Sequence, residues 1–217
     1  METRLLILGK GDNVITMILD NLYSVDQKTS DIYIYNNLQL PIQNTFDHDG
    51  FNIWVMNDVN IDDYDLYVLG VYRPSFKKKI IETLNPDISK FVNIIHQGLD
   101  MSYMSSLGHG VLINPKVSIA AHTTIGNFVT INRHVSIGHH TKIGDYCSIN
   151  PGVNIAGNVT IGEGTTIGMG TNVIDSVKIG SNTIIGAGSV VTKDIPDNVV
   201  AYGNPCKIIR KNETQPI

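Results

Sequence analysis

Aliphatic residues recur along this chain in two different rhythms. From Ile113 to Val191 every sixth residue is Ile or Val. The residue two places earlier is small or β-branched, as at Val111, Thr123, Cys147 and Ser189. The residue that follows is often Gly, Asn or Ala, as at Gly126, Asn132, Gly138 and Gly144. A six-residue period matches neither a helix nor a lone strand, so it describes a repeat architecture. Each hexad reads as a short strand with its aliphatic residue pointing inward. The Gly or Asn after it is expected to turn the corner, because those residues accept φ > 0 cheaply. Three hexads close a triangular coil of about eighteen residues, and coils stack at about 4.8 Å through parallel pairing.

The first ninety or so residues follow another rule. Leu5-Leu6-Ile7-Leu8 reads as a buried strand ending in Gly9-Lys10-Gly11-Asp12. Val14, Ile15, Ile18, Leu19 and Leu22 are spaced as one helical face, with Asp12 or Asn13 as the expected N-cap. Ile32–Tyr35 and Leu66–Gly70 are further strands, and Pro74 opens a second helix carrying Phe76, Ile80, Ile81 and Leu84. Strands alternating with helices imply a parallel sheet with ligands outside the carboxyl ends of its strands. The stretch from Gln39 to Asp65 carries no clear pattern. The predicted architecture is mainly β: a parallel β-helix over 93–217 preceded by a small α/β, Rossmann-like domain over 1–92.

Composition narrows the function classes. Charged residues make up 17% of the chain and hydrophobic residues 42%, a globular balance. A net charge of −4 gives no reason to expect nucleic acid or an anionic membrane as a partner. Lys77, Lys78 and Lys79 read as a solvated helix face. No apolar run approaches the roughly 18 residues that span a bilayer, and the start lacks a signal peptide's cleavage region. Cys147 and Cys206 form neither a ligand cluster nor a disulfide framework. A cytoplasmic location is the expectation.

The coil period also places side chains. Residues eighteen apart stand above one another, so Ala121, His139 and Gly157 form one column and His122, His140 and Asn158 the next. His139 then projects at a corner between neighbours with almost no side chain. That layout suits a general base beside an oxyanion site.

Residues 91–210 resemble the hexapeptide-repeat sugar O/N-acetyltransferases, which modify sialic acid hydroxyls or nucleotide-linked amino sugars. The likeness is carried by Phe91-Val92-Asn93-Ile94-Ile95-His96, by Gly138-His139 with Ile143-Gly144-Asp145, and by Asn150–Val159. Gly186–Val191 and Gly203-Asn204-Pro205 resemble the closing coil and tail. The resemblance, not the spacing, implies a left-handed coil, a homotrimer and acetyl-CoA as acyl donor without a metal. It makes residues 1–92 the holder of a nucleotide-linked amino sugar, and 93–217 the acyl-transfer domain with its tail.

Carried over by position, the resemblance implies His139 as the catalytic base. The family places an acidic residue directly after this histidine; here it is His140, with Asp145 considered as a substitute. Asn132 matches a substrate-side position, and Ser148, Gly157, Met169 and Ala187 match the acetyl-CoA groove between subunits. Lys193, Lys207 and Arg210 are expected near coenzyme A phosphates. Gly9, Gly11, Asn36, Asn37, Gly70 and Arg73 sit where the nucleotide would be held, although the family's histidine in the glycine turn is missing. N-transfer is favoured, with sugar O-acetylation as the alternative and a non-catalytic binding scaffold as a reading of another class. His134 and His139 also resemble two ligands of the β-helical carbonic anhydrases, but the third ligand position falls on Gly98. His48, His96 and His109 read as surface or turn residues.

Overall fold

The computed structural model describes residues 4–24, 31–36 and 51–213. Asn37 and His48 lie outside them. Four strands form a parallel sheet in the order β3-β2-β1-β4, with β1 Leu5–Leu8, β2 Asp31–Tyr35, β3 Asn52–Met56 and β4 Leu66–Leu69. β3 falls in the stretch that carried no pattern. Helix α1 spans Asp12–Ser24 and buries Val14, Ile15, Ile18, Leu19 and Leu22, the predicted face. The Gly11 carbonyl accepts from both Val14 and Ile15, so the helix starts one residue before the expected cap. Helix α2, Pro74–Leu84, has Pro at its start and Asn85 in the left-handed conformation at its end.

From Ile94 onward the chain is a left-handed β-helix of two-residue strands. The ladders between two-residue strands join a residue to the one eighteen further on, as Ser118 to Ser136, Thr124 to Lys142 and Thr130 to Ser148. Three faces result. Face I runs from Ile94–Ile95 to Ile184–Ile185 and is closed by Val199–Tyr202 and the antiparallel Lys207–Lys211. Face II runs from Asp100–Met101 to Val190–Val191, and face III from Ser106–Leu107 to Lys178–Ile179.

Two residues of each hexad fill the prism. The Ile or Val is buried, and so is the residue two places earlier. Where that second residue is polar its group is satisfied inside. Thr123, Thr141, Thr165 and Thr171 donate to the carbonyls of Gly138, Ala156, Gly180 and Gly186. Buried hydroxyls need such partners, and a coil supplies one carbonyl per corner.

The corners correct the expected use of glycine. Left-handed φ falls three residues after the aliphatic position, at Lys116, His122, Phe128, His134, His140 and Tyr146 among others. The glycines directly after the aliphatic residue serve close stacking instead. A Cβ on Gly138 would meet the backbone of Ala156 and Gly157 at 2.5 Å.

The α/β unit sits on face I. Ile94 and Leu112 join the core of β1, β2 and α1, while Phe91 and Phe128 join that of β1, β4 and α2. Phe91 packs edge-on against Tyr67 and Phe128, with ring centres 5.4 and 4.8 Å apart. Lys77 is a second correction, because it is buried rather than solvated. Its Nζ donates toward the Phe128 carbonyl (2.9 Å), Thr130 Oγ1 (2.8 Å), the Cys147 carbonyl (3.2 Å) and Ser148 Oγ (3.4 Å). Lys78 reaches Glu163 of the coil at 3.0 Å from the exposed side.

Candidate active site

Most of the predicted site residues fall on three places in this frame. The first is the carboxyl end of the sheet. Gly9 has φ of 98°, and Gly11 donates to the Gly70 carbonyl at 2.9 Å. A side chain on Gly11 would come within 2.6 Å of that carbonyl, so these three glycines form one close-packed mouth. Lys10 between them is nearly buried, 3.5 Å from Asp12. Asn36 is fully buried at the end of β2 and donates to Asn57 Oδ1 at 2.8 Å. Arg73 is exposed at the start of α2, 5.8 Å over the Phe76 ring.

The second place is the corner between faces I and II. Asn132 is nearly buried there, its Oδ1 accepting from the Arg133 N–H at 2.8 Å. Tyr72 links this corner to the mouth. Its hydroxyl donates to Asn150 Oδ1 at 3.1 Å, and burial pushes its pKa up to about 12. Met169 and Ala187 stack on the same corner, above Arg133 and Pro151 and one residue along from Asn132 and Asn150. Below them lies a cavity of about 280 Å³ lined by Met17, Asp20, Asn21, His96, Asn114 and Arg133, among others.

The third place is the corner between faces II and III, which carries His139 and His140. His139 takes the first turn position and His140 the second, with φ of 57°. The rungs are locked by Asn158 N–H to the His139 carbonyl (2.8 Å) and His140 N–H to the Ala121 carbonyl (3.0 Å). His139 lies over Gly157, where a Cβ would come within 2.6 Å of Cε1 and 2.8 Å of Nε2. The two histidines meet edge to face, Nδ1 to Nδ1 at 3.0 Å. His122 lies against His140 with ring centres 4.7 Å apart. An exposed imidazole over a bare backbone can approach an acyl carbonyl without steric competition and take a proton beside it.

Two expectations fail on geometry. Ser148 cannot line a coenzyme groove: it is fully buried on face I, donates to the Tyr72 carbonyl at 2.7 Å and lies within reach of Lys77. Asp145 cannot serve His139, because it stands at the corner between faces III and I. There its Oδ1 accepts from the Asn127 N–H at 2.7 Å and fixes that turn. Tyr72 and Asn57 leave no signal in the sequence, and Lys77 and Asn150 carry no site role there, because their partners lie on other elements.

The hexads that build this prism match a known repeat. Residues 122–157, 140–174 and 158–193 match the model of the bacterial transferase hexapeptide (six repeats). Among solved structures, PerB from Caulobacter crescentus in complex with CoA and GDP-perosamine is 25% identical, with a TM-score of 0.80 over 94% of this chain and 96% of PerB. A variant of perosamine N-acetyltransferase from Caulobacter crescentus matches at 24% identity and TM-score 0.81, over 94% of this chain and 96% of that one. The acetyltransferase domain of PglB from Neisseria gonorrhoeae in complex with acetyl coenzyme A is 21% identical with a TM-score of 0.81, over 95% of this chain and all (100%) of that one. The Saccharomyces cerevisiae protein YJL218W matches 23 residues at 78% identity, which is 11% of this chain and 12% of the yeast protein. Among the described residues no helix is long and apolar enough to cross a membrane.

Proposed function

We propose that this chain is an acetyl-CoA-dependent N-acetyltransferase that acts on a nucleotide-linked amino sugar as a cytoplasmic homotrimer. The observation that carries the reading is His139 lying over the bare backbone of Gly157 at an exposed corner. In the reaction the sugar amine attacks the thioester carbonyl while His139 Nε2 takes the amine's proton. The carbonyl oxygen, now negative, is held by a backbone N–H near Gly157. Collapse of the tetrahedral intermediate breaks the C–S bond, and the imidazolium returns the proton to the departing thiolate. The products are the acetamido sugar and free coenzyme A.

Residues 1–92, read as a Rossmann-like unit, hold the nucleotide at Gly9, Gly11, Asn36, Gly70 and Arg73, with Asn132 on the sugar. Residues 93–217 carry the transfer. PerB, whose structure contains CoA and GDP-perosamine, supports this choice of donor and acceptor. The placement of the parts supports a trimer. The mouth and Asn132 are at one end of face II and His139 at the other, at most roughly 20 Å apart for the six residues between them, of which His134 turns the corner. Between them the face presents Ser118, Ser136, Asn154 and Asn172, which offer no wall for a ligand. A neighbouring copy brings its first corner, with Met169, Ala187 and Asn132, against this chain's His139 and Gly157. The coenzyme lies in the groove so formed, and each site draws on two chains.

The test is thiol release from acetyl-CoA with a panel of nucleotide-linked 3-amino and 4-amino sugars, sialic acid included. Turnover is expected with an amino sugar. His139→Ala is expected to lower kcat at least ~100-fold, the scale of losing a general base, while the oligomer persists. Full activity in that variant refutes the mechanism.

A further inference from the structure

The contact between His139 and His140 determines more than ring placement. Two ring nitrogens 3.0 Å apart, both Nδ1, need one proton between them. If His139 donates, its Nε2 keeps a lone pair and faces the open space beside Gly157 as a base. If His140 donates, His139 must carry its own proton on Nε2 and cannot act as one. With one proton added to the neutral pair, His139 Nε2 is protonated in either arrangement.

We propose that His140 is a positioning residue that holds His139 in its Nδ1–H tautomer and shares the charge when His139 takes the proton. This inference rests on His139 being the base. The ionisable groups around the pair are His122 in the rung below, Lys142 on the same rung, and Asp175 two rungs above in the His139 column; the α/β unit packs on the opposite face. Among the described residues no carboxylate stands at His139 Nδ1, so a neutral imidazole performs the orienting task. His122, tilted against His140 from the rung below, holds that ring in place.

Two substitutions suit the left-handed backbone at this position. His140→Gly fits φ of 57° and removes the acceptor; His140→Asp supplies an anionic one. The predicted result for His140→Gly is a kcat lower by ~10-fold or more, with KM for both substrates changed by less than about 2-fold, since orientation of the base is lost and binding is not. His140→Asp is predicted to recover most of the loss and to move the acid limb of kcat/KM to higher pH, because a carboxylate favours imidazolium. Nitrogen-15 NMR of His139 reads the tautomer independently of turnover: Nδ1–H in the parent, a mixture in His140→Gly. A parent spectrum with the proton on Nε2, or a His140→Gly enzyme with unchanged kcat and pH profile, overturns the proposal. If His139→Ala stays fully active, the base assignment fails instead, and the NMR result still decides whether His140 sets the tautomer.

Discussion

Gly157 lacks a side chain, and the His139 ring occupies the room this leaves. The first turn position has no left-handed φ at Gly157, so alanine fits the backbone there without strain. Its Cβ would displace the imidazole, the far end of a flexible side chain, rather than backbone. Gly157→Ala is therefore expected to lower kcat ~10- to 100-fold, the scale of misplacing a catalytic group by an ångström or so. The melting temperature should stay within a few degrees. An equal fall in activity and stability would assign Gly157 to packing alone. This column was legible from the eighteen-residue period, because stacking fixes which residues are neighbours. The Nδ1 contact was not, since it depends on which turn residue adopts φ > 0, and that position lies two residues beyond the corner glycine.

At the level of the rung, the buried hydroxyls are the feature with most to lose. Thr141 is fully buried, donates to the Ala156 carbonyl at 3.1 Å and accepts from the Val159 N–H at 3.4 Å. Thr141→Val keeps the shape but deprives both groups of that partner. A loss of about 1–3 kcal/mol follows, the usual cost of an unsatisfied buried group. Chemical unfolding at fixed protein concentration checks it, and an unchanged midpoint would show that the hydroxyl contributes nothing. The hexads announced themselves because each repeats an inward aliphatic residue at fixed spacing. β3 did not. Its residues are half-buried or exposed at the sheet edge, so alternation is weak and Trp54 faces solvent.

Across the whole molecule, contacts between the α/β unit and the coil were the least legible, since Lys77, Tyr72 and their partners are separated by fifty to eighty residues. Burial pulls the Lys77 pKa from 10.5 down to about 7. Between those values the unfolded chain binds a proton that the folded chain does not, so stability rises with pH across the window, by up to about 1.4 kcal/mol per unit. Lys77→Met should remove this slope, and parallel stability–pH curves for parent and variant would contradict the assignment. The wider claim is that one chain's mouth works with another chain's His139. Mixed assembly tests it most directly: His139→Ala chains are unfolded and refolded together with chains carrying Arg73→Ala and Asn132→Ala, each inactive alone. Shared sites predict that activity returns, to about a quarter of the parent level for random assembly of equal amounts. A mixture that assembles fully yet stays as inactive as its components would contradict the account.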